Sequence, residues 1–338
     1  MTDYFRPLVQ IGPARPDTAL PLAGGWGWFT HAEVLSRSTP PRVVPAAGIP
    51  ASVMARLTAP RPAMAGLTLD RPRIMGILNT TPDSFSDGGQ HNAVPDALRV
   101  AQKMVAAGAD ILDIGGESTR PGADFVPVSE EITRTAPVIA ALRGAGLHTP
   151  ISIDTRKAAV AEAAVSAGAN LVNDVSGFTF DPALGPLCQK LALPVCVMHA
   201  QGDPATMHLD PQYDNVLLDV FDALERQISM LEASGIPRGA ILADPGIGFG
   251  KTQDHNLALL ARLSLFHALG TPILLGVSRK RFIGTIGNAP QAQDRAPGSI
   301  AVALAGLGQG VQMIRVHDVD DTRQAVALWH AAYFGSIL

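Results

Sequence analysis

The feature that most constrains the fold is an eightfold alternation that begins at Arg73 and continues almost to the end of the chain. Short apolar runs typical of strands are each followed by a polar loop and then by an alanine-rich amphipathic stretch. Eight consecutive βα units in about 265 residues match a (β/α)8 TIM barrel, an α/β fold, in number and length. The runs cover residues 73–78, 109–115, 150–154, 171–175, 194–199, 241–245, 272–278 and 313–318.

A doubly wound open sheet is the alternative architecture for alternating strands and helices. Such a sheet usually carries a glycine-rich dinucleotide-binding segment after its first strand, and the chain has none at that position. The sequence therefore favours the closed barrel.

The first seventy residues differ from the rest of the chain. Ten of the 27 prolines precede Arg71, two of the three tryptophans are Trp26 and Trp28, and no sustained helical period is present. We interpret residues 1–70 as an N-terminal extension, a small cap, and residues 71–338 as the barrel.

Composition excludes several classes of function. The net charge of −4 provides no basic face for nucleic acid, and no apolar stretch approaches the ~20 residues of a membrane helix. Residues 1–20 contain scattered charges and no apolar segment of a secretory signal. Cys188 and Cys196 are expected to be buried reduced thiols, which suits a cytoplasmic protein.

Polar side chains recur where the apolar runs end, and the carboxyl ends of barrel strands meet at one rim. The first run ends at Asn79, the third ends at Asp154, and the fourth carries Asn173. A single aspartate at a strand end is often a structural cap, but capping does not require a polar group at eight successive strands. The other ends carry Thr119 and Arg120, Met198 and His199, Asp244, Ser278 to Lys280, and Arg315 with His317.

This ring of side chains divides by chemistry. Asn79, Arg315 and His317 belong to the eighth and first strands, beside the usual phosphate position of the fold, and would suit an anion. The other group would suit the edge of a flat heterocycle with an exocyclic amine and a carbonyl. It comprises Asp154, Asn173, Asp244 and Lys280.

Seven segments carry these residues in a specific order. They are Asn-Thr-Thr-Pro-Asp-Ser-Phe-Ser-Asp-Gly-Gly at 79–89, Asp-Ile-Gly-Gly-Glu-Ser-Thr-Arg-Pro-Gly at 113–122, Ser-Ile-Asp-Thr at 152–155, Asn-Asp-Val-Ser-Gly at 173–177, Asp-Pro-Gly-Ile-Gly-Phe-Gly-Lys at 244–251, Ser-Arg-Lys at 278–280 and Arg-Val-His-Asp-Val at 315–319. Together they resemble the dihydropteroate synthase family of folate biosynthesis. The resemblance runs from about Arg73 to the C-terminus and leaves out the extension.

The resemblance implies a transferase that condenses 6-hydroxymethyl-7,8-dihydropterin diphosphate with p-aminobenzoate to give 7,8-dihydropteroate and diphosphate. The implied pterin residues are Asp154, Asn173, Met198, Asp244 and Lys280. The implied diphosphate residues are Asn79, Arg315 and His317. An asparagine beside a diphosphate suggests Mg²⁺ held mostly by phosphate and water, with Asn79 as its protein ligand.

The second substrate and the chemical step involve further residues by the same resemblance. The implied p-aminobenzoate pocket comprises Phe85, Thr119, Arg120, Pro121, Phe249 and Ser278. The implied catalytic residues are Asp87, Arg120 and Lys280. Sulfonamides are expected to compete with p-aminobenzoate, and Gly250 is expected to leave space for the drug's added substituent, so that Gly250→Phe would exclude the drug.

Two other functions remain open from the residues alone. A pterin-binding barrel of a corrinoid-linked methyltransferase would share the pterin pocket but would need no diphosphate site. A catalytically inactive barrel used for binding or assembly would have lost ring residues, and none is lost. His199 is interpreted as a hydrogen-bonded wall rather than a catalyst, and the resemblance implies a homodimer through outer helices.

Overall fold

The structure, a computed structural model, describes residues 3–81, 93–118, 125–202 and 210–337. Before the barrel it contains short strands and one helix. These elements are β1 Tyr4–Pro7, β2 Leu20–Pro21, β3 Trp28–Phe29, β4 His31–Leu35, β5 Arg42–Pro45 and α1 Ala51–Thr58.

The eight predicted strands are all present and all parallel. They are β6 Arg73–Asn79, β7 Ile111–Gly115, β8 Ile151–Asp154, β9 Leu171–Asp174, β10 Val195–Met198, β11 Ile241–Asp244, β12 Leu274–Gly276 and β13 Met313–Val316. β12 is shorter than its predicted run because a turn closes after it, where the Lys280 N–H donates to the Val277 carbonyl at 3.3 Å.

The strands form a ring. Their hydrogen-bonded order is β11, β10, β9, β8, β7, β6, β13, β12, so the first and last barrel strands are neighbours. A parallel bridge between Ala243 and Ile273 joins β11 to β12, and the Ala243 N–H donates to the Pro272 carbonyl at 2.9 Å. This closure confirms the (β/α)8 TIM barrel and rules out the open sheet, because a ring of strands has no exposed edge.

Helices surround the ring and supply the outer layer of the core. They are α2 Ala93–Ala106, α3 Val128–Gly144, α4 Ala158–Ser166, α5 Leu184–Lys190, α6 Val216–Ala233, α7 Gln253–Leu260, α8 Arg281–Ile286, α9 Ala296–Gly308 and α10 Val319–Phe334. Local sequence explains where α7 begins, because the Thr252 hydroxyl accepts the His255 N–H at 3.2 Å and the His255 ring accepts the Thr252 N–H.

The two ends of the barrel differ in polarity. Met64 and Leu69, which precede β6, close the amino-terminal end by packing onto a layer of apolar side chains inside the ring. That layer consists of Met75, Ile111, Leu171, Cys196, Leu242, Leu274 and Met313. This plug leaves the carboxyl-terminal end of the described barrel open. The polar residues that end the strands lie at that end.

The extension packs against the outer helices of the barrel. The Trp26 indole N–H donates to the Leu307 carbonyl at 2.9 Å, and its ring meets Trp329 of α10 edge-on. The Ser264 hydroxyl donates to the Pro7 carbonyl at 2.9 Å, which connects β1 to the segment after α7. Aromatic and buried polar contacts thus hold the first part of the extension on the helical layer, whereas its last part, with Met64 and Leu69, closes the amino-terminal end of the barrel.

Cys188 and Cys196 are buried and unpaired, as the sequence predicts. Burial raises the pKa of both thiols, so neither is a reactive thiolate. None of the described helices has the length and apolarity that crossing a membrane requires.

Candidate active site

Strand register brings four strand ends to one level at the mouth of the barrel. Asn79 is paired with Gly115, Gly115 with Asp154, and Asp154 with Asn173 along neighbouring parallel strands. On the next two strands of the ring, Met198 is paired with Asp244. Five of the predicted site residues are therefore brought to one rim by backbone pairing alone.

A network centred on Arg315 forms the floor of this mouth. Its Nε donates to Asp113 Oδ2 at 2.6 Å, and its Nη2 donates to Asp154 Oδ2 at 2.8 Å. The Asn173 amide N–H donates to the same Asp113 oxygen at 3.1 Å. One guanidinium thus serves two carboxylates, and Asp113, which we did not single out from the sequence as a site residue, connects the two sides of the floor.

Burial and charge act on this network in opposite directions. The side chain of Asp113 is fully buried, while those of Asp154 and Arg315 remain 12% and 21% exposed toward the opening. Burial raises the pKa of Asp154 to about 7; the charge of Arg315 opposes this shift and that of Asp113 adds to it. The two carboxylates in turn raise the pKa of Arg315, although burial alone would lower it.

The placement of Arg315 differs from the predicted grouping. The sequence grouped Arg315 with Asn79 and His317 as anion ligands, whereas in the structure its Nε and one terminal nitrogen are engaged by Asp113 and Asp154. Arg315 therefore lies between the group suited to a heterocycle and the group suited to an anion.

After the neighbouring strands β11 and β12, Asp244 and Lys280 flank a glycine-rich turn. Asp244 accepts the Gly246 N–H at 2.7 Å, and burial raises its pKa while this hydrogen bond and Lys280 oppose the shift. The Lys280 ammonium lies 4.0 Å from the centre of the Phe249 ring, a cation–π distance. Gly248 has a φ of +82°, which favours glycine, and a Cβ there would come within 3.2 Å of the Lys280 side chain.

The side chain of Lys251 also binds this turn through hydrogen bonds. Its buried Nζ donates to the Gly246 carbonyl at 2.9 Å and the Phe249 carbonyl at 3.0 Å, and it lies 2.9 Å from His199 Nδ1. Burial lowers the pKa of Lys251 to about 7. Burial and the neighbouring ammonium together lower the pKa of His199 to about 3, so His199 is neutral at physiological pH and acts as the wall that the sequence predicted.

The ends of β12 and β13 are joined by side chains. Ser278 Oγ lies 2.9 Å from His317 Nδ1 of the ring. It also accepts a hydrogen bond from the backbone N–H of His317 at 3.1 Å. These two residues were predicted for different substrates, and the structure places them in direct contact.

Five of the predicted residues lie outside the described part of the chain. They are Phe85, Asp87, Thr119, Arg120 and Pro121.

Gly250 is more tightly packed than the sequence predicts, and the predicted effect of Gly250→Phe on sulfonamide binding stays a prediction. Its φ is +59°, and a Cβ there would lie 2.5 Å from the Gln201 carbonyl oxygen. The Tyr213 hydroxyl also donates to the Gly250 carbonyl at 2.8 Å. The position is packed against Gln201 rather than open, so we expect Gly250→Phe to distort the turn itself.

Several known proteins are similar to this chain in sequence. A family model described as "Pterin binding enzyme" matches residues 75–317. The dihydropteroate synthase of Escherichia coli is 45% identical over 255 residues, which cover 75% of this chain and 89% of the relative. The chain belongs to the dihydropteroate synthase family.

Solved structures of dihydropteroate synthases share the fold as well. The Xanthomonas albilineans enzyme with 4-aminobenzoic acid aligns with a TM-score of 0.75 at 45% identity, covering 79% of this chain and 96% of that one. The Yersinia pestis enzyme in a sulfonamide drug complex gives the same TM-score and identity, covering 80% and 98%. The family match begins at residue 75, so the extension lies before it.

Proposed function

We propose that separate regions at the mouth of this barrel bind the pterin ring, the diphosphate and p-aminobenzoate. The reaction is the condensation of 6-hydroxymethyl-7,8-dihydropterin diphosphate with p-aminobenzoate. The observation that carries the proposal is the pair of carboxylates, Asp154 and Asp244, at the rim of a barrel whose other end is plugged. Both have a raised pKa and both face cationic partners. A ring with several N–H donors would satisfy such acceptors.

The pterin ring would lie across the floor network. Asp154 and Asn173 are adjacent in register on β8 and β9, and Met198 and Asp244 are adjacent on the next two strands, β10 and β11. Met198 is buried and offers a polarizable thioether to the flat face of a ring. Lys280 would cover the same ring from the rim, so its two assigned roles, pterin binding and catalysis, come from one position.

The diphosphate would lie on the side of Asn79 and His317, with Arg315 between it and the pterin. The amide oxygen of Asn79 would be one ligand of a Mg²⁺ ion whose other ligands are phosphate oxygens and water. Among the described residues no group of three or more histidine, cysteine or acidic side chains could hold a metal by itself. When bound, Mg²⁺ would neutralise charge on the leaving diphosphate.

The p-aminobenzoate would enter between the turn that contains Phe249 and the start of α8. The Phe249 ring offers an apolar face beside the Lys280 ammonium, and Ser278 offers a hydroxyl close to the α8 start. The rest of this pocket and two catalytic roles are assigned to residues outside the described part of the chain. They are Phe85, Asp87, Thr119, Arg120 and Pro121.

The reaction then needs no protein nucleophile. The bond between the pterin methylene carbon and the diphosphate oxygen breaks with its electron pair on oxygen, where the positive charge of Arg315 and a hydrogen bond from His317 would favour departure. Asp154 and Asp244 would stabilise the positive charge left on the pterin. The arylamine nitrogen attacks that carbon and loses a proton, giving 7,8-dihydropteroate.

Product analysis tests the proposal. We expect diphosphate and 7,8-dihydropteroate to form in equal amounts from dihydropterin diphosphate and p-aminobenzoate, and EDTA to abolish the reaction until excess Mg²⁺ is restored. A corrinoid-linked methyltransferase or an inactive barrel would release no diphosphate that depends on p-aminobenzoate. Full turnover in EDTA would remove Mg²⁺ from the proposal.

Sulfonamides should compete with p-aminobenzoate, because they present an arylamine and an anionic end in a similar arrangement. We expect the apparent KM for p-aminobenzoate to rise linearly with drug concentration while kcat stays constant. Initial rates at varied p-aminobenzoate measure this directly. A fall in kcat at unchanged KM would show that the drug binds elsewhere.

The same proposal covers assembly and location. A homodimer through outer helices and a cytoplasmic location are what we propose for the intact protein. Because the first part of the extension packs on part of the helical layer, a dimer would use helices outside that contact or the extension itself.

A further inference from the structure

The turn after β12 contains a residue in an unfavourable backbone conformation. The Lys280 N–H donates to the Val277 carbonyl at 3.3 Å, and Arg279, the third residue of this turn, has a φ of +59°. Left-handed backbone is unfavourable for a residue with a Cβ, and turns that require it at this position usually have glycine or asparagine. Position 279 is nevertheless an arginine, so its backbone conformation carries that cost.

Contacts on three sides hold Arg279 in place. Its N–H donates to Ser299 Oγ at 2.8 Å, and its carbonyl accepts from Arg295 Nη1 at 3.0 Å, so both backbone groups are bound to the start of α9. Its guanidinium Nε donates to Asp318 Oδ2 at 3.1 Å, and Nη2 contacts Oδ1 of the same carboxylate. Such an over-determined outlier at a site is typical of functional positioning.

The Arg279–Asp318 pair lies directly beside a link between site residues. Ser278 contacts His317, and the next residue of each segment forms the ion pair. Two successive links therefore hold the turn after β12 against the end of β13. Lys280 follows immediately and extends over the Phe249 ring. The first link involves predicted substrate ligands, whereas the second involves neither of them.

We infer that Arg279 is a positioning residue: through Asp318 it fixes the turn after β12 on the end of β13, and this sets the places of Ser278 and Lys280. The inference rests on the proposed division of the mouth. Arg279 itself need not touch a substrate. A misplacement of about 1 Å in such groups can cost about a hundredfold in rate, so loss of the pair should be visible in kinetics before it is visible in folding.

Four variants separate the backbone from the side chain. Arg279→Gly removes the ion pair but permits the left-handed backbone, whereas Arg279→Ala removes the pair and retains the strain. Asp318→Asn weakens the pair from the other side, and Arg279→Lys keeps the charge with a single contact point. We expect kcat/KM for p-aminobenzoate to fall about tenfold to a hundredfold in both Arg279→Gly and Arg279→Ala, with partial retention in Arg279→Lys. Thermal unfolding should show Arg279→Gly as the more stable of the first two.

A matched ion pair at the opposite end of the barrel is the control. Arg323 pairs with Asp110 before β7, and its side-chain exposures of 30% and 12% resemble the 32% and 16% of Arg279 and Asp318. Arg323→Ala should lower thermal stability and leave KM unchanged. Wild-type kcat/KM in Arg279→Gly would overturn the inference. So would a change in Arg323→Ala as large as the one in Arg279→Gly. If the unaltered protein formed no dihydropteroate, the proposed function would fail instead.

Discussion

Replacing Arg315 with alanine should lower the free energy of unfolding by about 3–5 kcal/mol, because the change leaves Asp113 and Asp154 buried without their shared cation. The loss should be greater at pH 8 than at pH 5.5. Without Arg315 the pKa of Asp154 rises further above its unfolded value of about 3.9. The native state then binds the extra proton at acidic pH, and stability falls as pH rises through that window.

Urea unfolding of wild type and Arg315→Ala at both pH values measures this prediction. Arg99→Ala is the matched control, because Arg99 is 74% exposed and pairs with Asp96 in the same helix. It should change the free energy of unfolding by about 0.5 kcal/mol or less. If Arg315→Ala lowered the free energy of unfolding equally at both pH values, the protonation of Asp154 would not be linked to the loss of Arg315.

Replacing Lys251 with methionine should weaken p-aminobenzoate binding and stability together. The change leaves the Gly246 and Phe249 carbonyls and His199 Nδ1 without their buried donor, and each orphaned acceptor costs about 1–3 kcal/mol. Phe249 should then lose its fixed place beside Lys280. We expect KM for p-aminobenzoate to rise at least about tenfold, which corresponds to ~1.4 kcal/mol.

Steady-state kinetics and thermal unfolding together test the role of Lys251. Lys190→Met removes an exposed lysine from the last turn of α5 and should leave both measurements unchanged. An unchanged KM in a destabilised Lys251→Met protein would separate the turn from substrate binding.

The barrel itself was predictable because its signals are local. Each strand is a short apolar run, and each run is followed by the polar residues that the parallel arrangement brings to one rim. The eight predicted strand positions therefore agree with the structure, and the bounds differ by no more than two residues at either end, as where the turn from Val277 to Lys280 shortens β12.

The partners of the polar residues were not predictable because they are distant in sequence. Arg315 and Asp113 are 202 residues apart, and Lys251 and His199 are 52 apart. A signal for Asp113 was nevertheless present. It lies within the apolar run Ile111–Gly115, and a fully buried carboxylate requires a charged or hydrogen-bonding partner inside the barrel. Lys251 offered a weaker signal, since a lysine after a glycine-rich turn is usually exposed.

The most direct test of the divided mouth compares two ligands in two variants. Calorimetry would measure binding of a bare pterin and of dihydropterin diphosphate with Mg²⁺ to Asp244→Asn and to His317→Ala. We expect Asp244→Asn to weaken both ligands by about 1–3 kcal/mol, since a ring contact is lost in each case. His317→Ala should weaken only the diphosphate ligand and leave bare pterin affinity unchanged. Equal losses for both ligands in His317→Ala would contradict the division between a pterin side and a diphosphate side.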